Sequence, residues 1–362
     1  MIDFKNMMLP HLANFTGFDP ADPLEVMAAR SGIPPERIIR LNANENPYGP
    51  SPKVLKALLA IKPHLYPDPQ QRLVRRALAD FTGFTSEHII VGAGSDEIID
   101  LLFRLVVGKG DSIIECSPTF GMYSFGARLA SATTKSIPRD NRFEIDIDST
   151  LGAIDSTTKI VFINSPNNPT GNIISSSDMK SLLQTGLLVV VDEAYSEFAD
   201  QSFIDWVSDY ENLVILRTFS KWAGIAGLRV GYGVMNPNLT GYLFAIKQPY
   251  NITLAAEAAL ISSLEDRSYL MRNVELIVKE RARMFSLLQN IDGVDPKPSH
   301  GNYILCEFGQ GKASDVYQGL ADRGIFLRLF SHERLENYIR VSVGTPEQTD
   351  ALITTLQELV ST

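Results

Sequence analysis

Five short apolar runs, each stopping at a polar motif, constrain this chain more than any other feature. Residues 89–91 stop at Gly92-Ala93-Gly94-Ser95-Asp96-Glu97, and residues 111–116 at Ser117-Pro118-Thr119-Phe120-Gly121-Met122-Tyr123. Residues 159–163 stop at Asn164-Ser165-Pro166-Asn167-Asn168-Pro169-Thr170-Gly171, and 187–191 at Asp192-Glu193-Ala194-Tyr195. Residues 213–216 lead to Thr218-Phe219-Ser220-Lys221, with Gly224, Gly227 and Arg229 beyond. Runs that are apolar throughout, rather than alternating, predict strands covered on both faces, hence a largely parallel α/β sheet. In such sheets ligands bind beyond the carboxyl ends of the strands, where these polar motifs fall.

A chain of 362 residues is long enough for two domains. Residues 1–40 read as an N-terminal arm and short helix that join a small domain, 41–248 as a large domain, and 249–362 as the small α+β domain. Within the first two, Ser51-Pro52 opens a helix to about residue 61, and 72–81 and 98–107 are helical. Residues 254–291 keep helical spacing, as one bent helix or as two broken near Asp266. Strands are expected at 302–308, 325–329 and 339–343, and helices at 314–323 and 347–359. A net charge of −9 with no long basic run argues against nucleic-acid binding. No apolar run has membrane-spanning length and no secretory signal opens the chain, so a cytoplasmic location is expected. Cys116 and Cys306 read as reduced core residues. The histidines at 11, 64, 88, 300 and 332 have no metal-binding spacing, so no metal site is expected.

Taken alone, Lys221 in a glycine-rich loop is an ordinary exposed lysine. Asp192 alone is a helix cap, Asn168 in Asn-Pro-Thr-Gly a plain turn, and Phe120 a core aromatic. Together, at the ends of separate strands, they resemble the pyridoxal-phosphate enzymes of the aspartate aminotransferase fold type. That cofactor needs a Schiff-base lysine, a carboxylate on its pyridine nitrogen, donors to its phenolate, an anion site and a flat face for its ring. Lys221 matches the lysine, Asp192 the carboxylate, and Tyr195 with Asn168 the phenolate donors. Gly94, Ser95 and Asp96 at a helix start, with Ser220, Arg229 and Thr218, match the phosphate site. Phe120 matches the stacking ring. The fold implied is a mostly parallel seven-stranded type of sheet in the large domain, beside the small α+β domain.

The motifs LNANENPYGPSP, LYPDP, GAGSDE, PTFGMY, SPNNPTG, VVDEAY, RTFSKWAGIAGLRVGY and YIRVSVGTPEQ occur in the order found in histidinol-phosphate aminotransferases. The resemblance covers nearly the whole chain. It implies amino transfer between L-histidinol phosphate and 2-oxoglutarate in histidine biosynthesis, by a homodimer with active sites shared across its interface. Tyr66 then matches a tyrosine that reaches the partner's cofactor phosphate, and Arg328 and Arg340 match arginines for the substrate's anionic end. Tyr48 and Asn302 are further substrate-side candidates. The family often has a substrate-side tyrosine in its arm, whereas this arm offers His11, Phe15 and Phe18. Threonine-phosphate decarboxylases and aromatic amino-acid aminotransferases share the cofactor residues and stay open as alternatives. Gly92-Ala93-Gly94 with Glu115 imitates a dinucleotide fingerprint, but position 97 is Glu, and an NAD-dependent dehydrogenase leaves Lys221, Asp192 and Asn168 without roles. A non-catalytic regulatory module is a third class, with no DNA-binding segment apparent.

Overall fold

A computed structural model describes residues 2, 4–13, 15, 17, 20 and 22–360. Phe18 lies outside the described residues. The chain runs through α1 (Leu24–Ser31), β1 (Ile39–Arg40), α2 (Pro52–Ala60) and α3 (Arg72–Thr82) before the regular alternation begins. That alternation comprises β2 (Ile89–Gly92), α4 (Ser95–Val106), β3 (Ser112–Ser117), α5 (Met122–Leu129), β4 (Thr133–Pro138), α6 (Ile147–Gly152), β5 (Thr158–Asn164), α7 (Ser176–Leu183), β6 (Leu188–Asp192), β7 (Leu213–Thr218), β8 (Gly231–Met235) and α8 (Pro237–Ile246). The rest is α9 (Leu254–Glu265), α10 (Arg267–Gln289), β9 (Val294–Pro296), β10 (Tyr303–Phe308), α11 (Lys312–Ala321), β11 (Ile325–Phe326), β12 (Arg328–Leu329), β13 (Tyr338–Ser342) and α12 (Pro346–Val360).

Seven strands form the main sheet in the order β2-β8-β7-β6-β5-β3-β4. All but β8 run the same way, as expected of a mostly parallel sheet. Alternate residues of each central strand enter opposite cores. Val191 and Ile215 belong to one with α7, α9 and α10, while Val190 and Leu216 belong to the other with α4, α5 and α8. This two-sided burial is why the strands read as continuous apolar runs. A four-stranded antiparallel sheet, β12-β13-β10-β9, forms the second layer system, and β1 pairs in parallel with β11. Among the described residues no helix is long and apolar enough to cross a membrane.

Two strands of the main sheet escape the sequence pattern. At the edge, β4 is half-exposed and polar, Thr-Thr-Lys-Ser-Ile-Pro. Glycines interrupt β8, and a side chain at Gly231 would strike the Ser95 amide and the Arg217 carbonyl. The long helical stretch resolves into two helices at Asp266, whose backbone leaves the helical region and whose carboxylate accepts from the Ser51 hydroxyl.

Since β7 is enclosed from both sides, Ile215→Ala and Leu216→Ala should each destabilise by about 2–5 kcal/mol. Urea unfolding midpoints check this, and a strand solvated on one face would lose stability from only one of the two.

Candidate active site

The loop after β7 carries Lys221 over the carboxyl edge of the sheet. Its Nζ donates to the Ala43 carbonyl at 3.0 Å and lies 6.0 Å from the centre of the Tyr195 ring. Burial, reinforced by the Arg340 and Arg229 charges and opposed by Glu45, pushes the amine down to about 8. A lysine so placed holds a sizeable neutral, nucleophilic fraction near neutral pH.

Asp192 ends the neighbouring strand β6, 3% exposed. Its Oδ2 accepts from the Tyr123 hydroxyl at 2.9 Å and its Oδ1 from the Ala194 amide at 3.1 Å. Burial raises this carboxyl to about 6, against the Tyr123 hydrogen bond. Tyr123, on α5, stacks on Phe162 at 4.6 Å and meets Phe120 edge-on at 5.7 Å. The carboxylate and the candidate stacking ring are thereby joined through one buried phenol. Tyr195 follows Asp192 by three residues, and its hydroxyl accepts from Asn44 Nδ2 at 3.1 Å. Asn168 Oδ1 accepts from Arg340 at 2.6 Å, and its amide donates to Asn164 Oδ1 at 2.7 Å.

An anion cradle opens where β2 turns into α4. Gly94 has φ of 80°, a conformation that favours glycine, and no side chain caps the first turn beginning at Ser95. Thr218 donates to Ser220 Oγ at 2.9 Å, and Arg229 reaches Ser220 Oγ at 3.4 Å and the Asp96 carboxylate at 2.9 Å. Uncapped amides, two hydroxyls and a guanidinium converge here, the donor set a phosphate requires.

Arg328 and Arg340 stand directly opposite each other on β12 and β13. Like charges so paired repel. Arg340 is 6% exposed, and among the described residues no carboxylate forms an ion pair with it. It donates instead to Asn168 and, at 2.7 Å, to the Asn42 carbonyl, while its buried Nε has no partner. Two facing cations and an unmatched donor fit an anionic group arriving from outside. Asn302 is fully buried and donates to the Asn44 carbonyl at 3.0 Å.

The remaining candidates have neighbours of their own. Tyr48 faces the Glu280 and Glu347 charges, which with burial raise its phenol. Tyr66 is 78% exposed and stacks on Tyr250 at 4.5 Å. His11 contacts the Leu129 carbonyl and Phe15 packs on Phe125, so both rest on α5. Conversely, the sequence reading assigned no role to Tyr123, Asn44 or Ser342, nor to the carbonyls of Asn42 and Ala43. Tyr123 carries a signal, since it follows Phe120 at helical spacing. Backbone acceptors carry none.

A model of the family described as Aminotransferase class I and II matches residues 36–356, and the chain belongs to that family. A histidinol-phosphate aminotransferase of Roseiflexus castenholzii is 44% identical over 98% of both chains. Histidinol-phosphate aminotransferase 1, chloroplastic, of Arabidopsis thaliana is 45% identical over 96% of this chain and 85% of its own. Among solved structures, histidinol-phosphate aminotransferase from Sinorhizobium meliloti in complex with pyridoxal-5'-phosphate superposes with a TM-score of 0.90 at 26% identity, covering 98% of this chain and 97% of that one.

In the ligand-free protein, Lys221 should react with a small aldehyde and borohydride with a half-maximal rate near pH 8. Exposed lysines should lag by about two units. Peptide mapping across pH tests this, and a Lys221 profile matching the surface lysines would refute the buried, charge-flanked setting.

Proposed function

We propose that this chain is a pyridoxal-phosphate-dependent histidinol-phosphate aminotransferase, taking L-histidinol phosphate and 2-oxoglutarate to imidazole acetol phosphate and L-glutamate. One observation carries the chemistry: a half-buried lysine with a lowered pKa stands beside the Tyr195 ring and under the Arg340 and Arg229 charges, its Nζ on the Ala43 carbonyl. The substrate assignment draws on relatives aligned over nearly the whole chain. Family membership sets aside the dinucleotide reading of Gly92-Ala93-Gly94.

Bound at this site, pyridoxal phosphate supplies an aldehyde for amine capture and a protonated ring that accepts an electron pair from the substrate carbon. Asp192 would hold the proton on the ring nitrogen. Its burial makes an ionised carboxylate costly alone, so a cation against it is favourable. Tyr195 and Asn168 would donate to the phenolate oxygen, and Phe120 would cover the ring. The Gly94, Ser95 and Asp96 amides, with Thr218, Ser220 and Arg229, would hold the phosphate. Lys221 would take the proton from the substrate's α-carbon and deliver it to the cofactor's C4′ carbon, on the other side of the shared nitrogen, a task suited to a pKa near the working pH. Arg328 and Arg340 would receive the phosphate of one substrate and a carboxylate of the other, with Asn302 and Tyr48 on the substrate side. Freely exposed apolar side chains on α2 and the following turn, Leu59 at 90% and Leu65 at 54%, support a homodimer whose partner would receive Tyr66.

Half-reaction spectroscopy with L-histidinol phosphate tests the reading. Lys221→Ala should abolish turnover while leaving the far-ultraviolet dichroism unchanged, and a normal rate in that variant would overturn the assignment. Carbon dioxide release from threonine phosphate would instead identify the decarboxylase. Arg340→Lys loses the planar fork and should raise KM for both anionic substrates by about tenfold or more, with a smaller change in kcat.

A further inference from the structure

Asn44 joins Ser342 to Tyr195 through a buried set of hydrogen bonds. Its backbone amide donates to Ser342 Oγ at 2.9 Å, and Ser342 Oγ donates back to Asn44 Oδ1 at 2.9 Å. With Oδ1 occupied as an acceptor, Nδ2 must face the other way, and it donates to the Tyr195 hydroxyl at 3.1 Å. A phenol oxygen that accepts this bond has its own single proton left to give, and none of the donors in this network can take it. All members are buried: Asn44 is 1% exposed, Ser342 2% and Tyr195 5%. Water therefore does not scramble the order. Asn44 is also held at φ of 52°, a conformation asparagine tolerates better than most residues. Ser342 lies two residues beyond Arg340 on the same strand.

We propose that Asn44 is a positioning residue: locked by Ser342, its amide sets the direction in which Tyr195 donates, turning the phenol proton into the cleft toward the cofactor's phenolate oxygen. This rests on the pyridoxal-phosphate reading above. It also ties the small sheet to the cofactor, because the lock sits on the strand that bears the substrate arginine.

The test uses the holoenzyme and the pH dependence of its visible absorption. A donor at the phenolate oxygen favours the cofactor form that has lost its shared proton, so weakening that donor raises the pH midpoint of the band. Asn44→Gly removes the amide and keeps the positive φ, leaving the Ala43 and Asn42 carbonyls in place for Lys221 and Arg340. The expected result is a midpoint raised by about one pH unit, a tenfold change in proton affinity. Ser342→Ala frees the amide to turn and should raise the midpoint less. In a Tyr195→Phe background, Asn44→Gly should add nothing, since the amide acts only through that hydroxyl. An unchanged midpoint in Asn44→Gly, or a shift that persists without the Tyr195 hydroxyl, overturns the inference. Should Asn44→Gly fail to fold, an unchanged midpoint in Ser342→Ala overturns it equally. Wild-type protein that gains no visible band with pyridoxal phosphate defeats the underlying reading, while a wild-type band with insensitive variants defeats only the role of Asn44.

Discussion

Three successive carbonyls, those of Asn42, Ala43 and Asn44, hold the site together. They accept from Arg340, Lys221 and Asn302 respectively. Two of these bonds are charge-assisted, worth roughly 1.5–3 kcal/mol each against leaving the buried partner unmatched. An irregular segment with its carbonyls turned inward can serve the lysine of one sheet and the arginine of another at the same time. A helix or strand could not, since its carbonyls are spent on its own ladder. Asn44 at φ of 52° makes the bend that exposes them.

The electrostatics follow from this arrangement. Burial, with the Arg340 charge added, depresses the Lys221 amine, and burial, with a smaller push from Arg328, depresses the Arg340 guanidinium in turn. Burial also raises Asp192. The chain thus holds mutual repulsion between Arg328 and Arg340 and a raised proton affinity at Asp192.

Much of this was legible in the residues. Strands enclosed on two sides are read as apolar runs because both cores reach them, as Val190 and Val191 show. The polar residues after those runs fall on one edge because parallel strands end together, and that is the pattern that singles out Lys221, Asp192 and Asn168. The edge strand β4 was missed because it borders solvent, and β8 because glycine at 231 answers to backbone crowding rather than to apolar burial. Tyr123 read as part of a turn, since only the fold brings α5 over Asp192. Tyr48 belongs to the same loop as Asn44, and burial with the Glu280 and Glu347 charges raises its phenol, a setting that no local pattern announces. Asn44 was hidden for a deeper reason: its partners Tyr195 and Ser342 lie 151 and 298 residues away.

Those distances along the chain matter for when the site comes into being. Arg340 meets the Asn42 carbonyl across 298 residues, and Lys221 meets Ala43 across 178. Contacts of such span form late, after the loops between them have already been ordered. Without them Lys221 lacks the Ala43 acceptor and the Arg340 charge that shape its amine. The setting of Lys221 is therefore a property of the finished molecule, assembled from both ends of the chain.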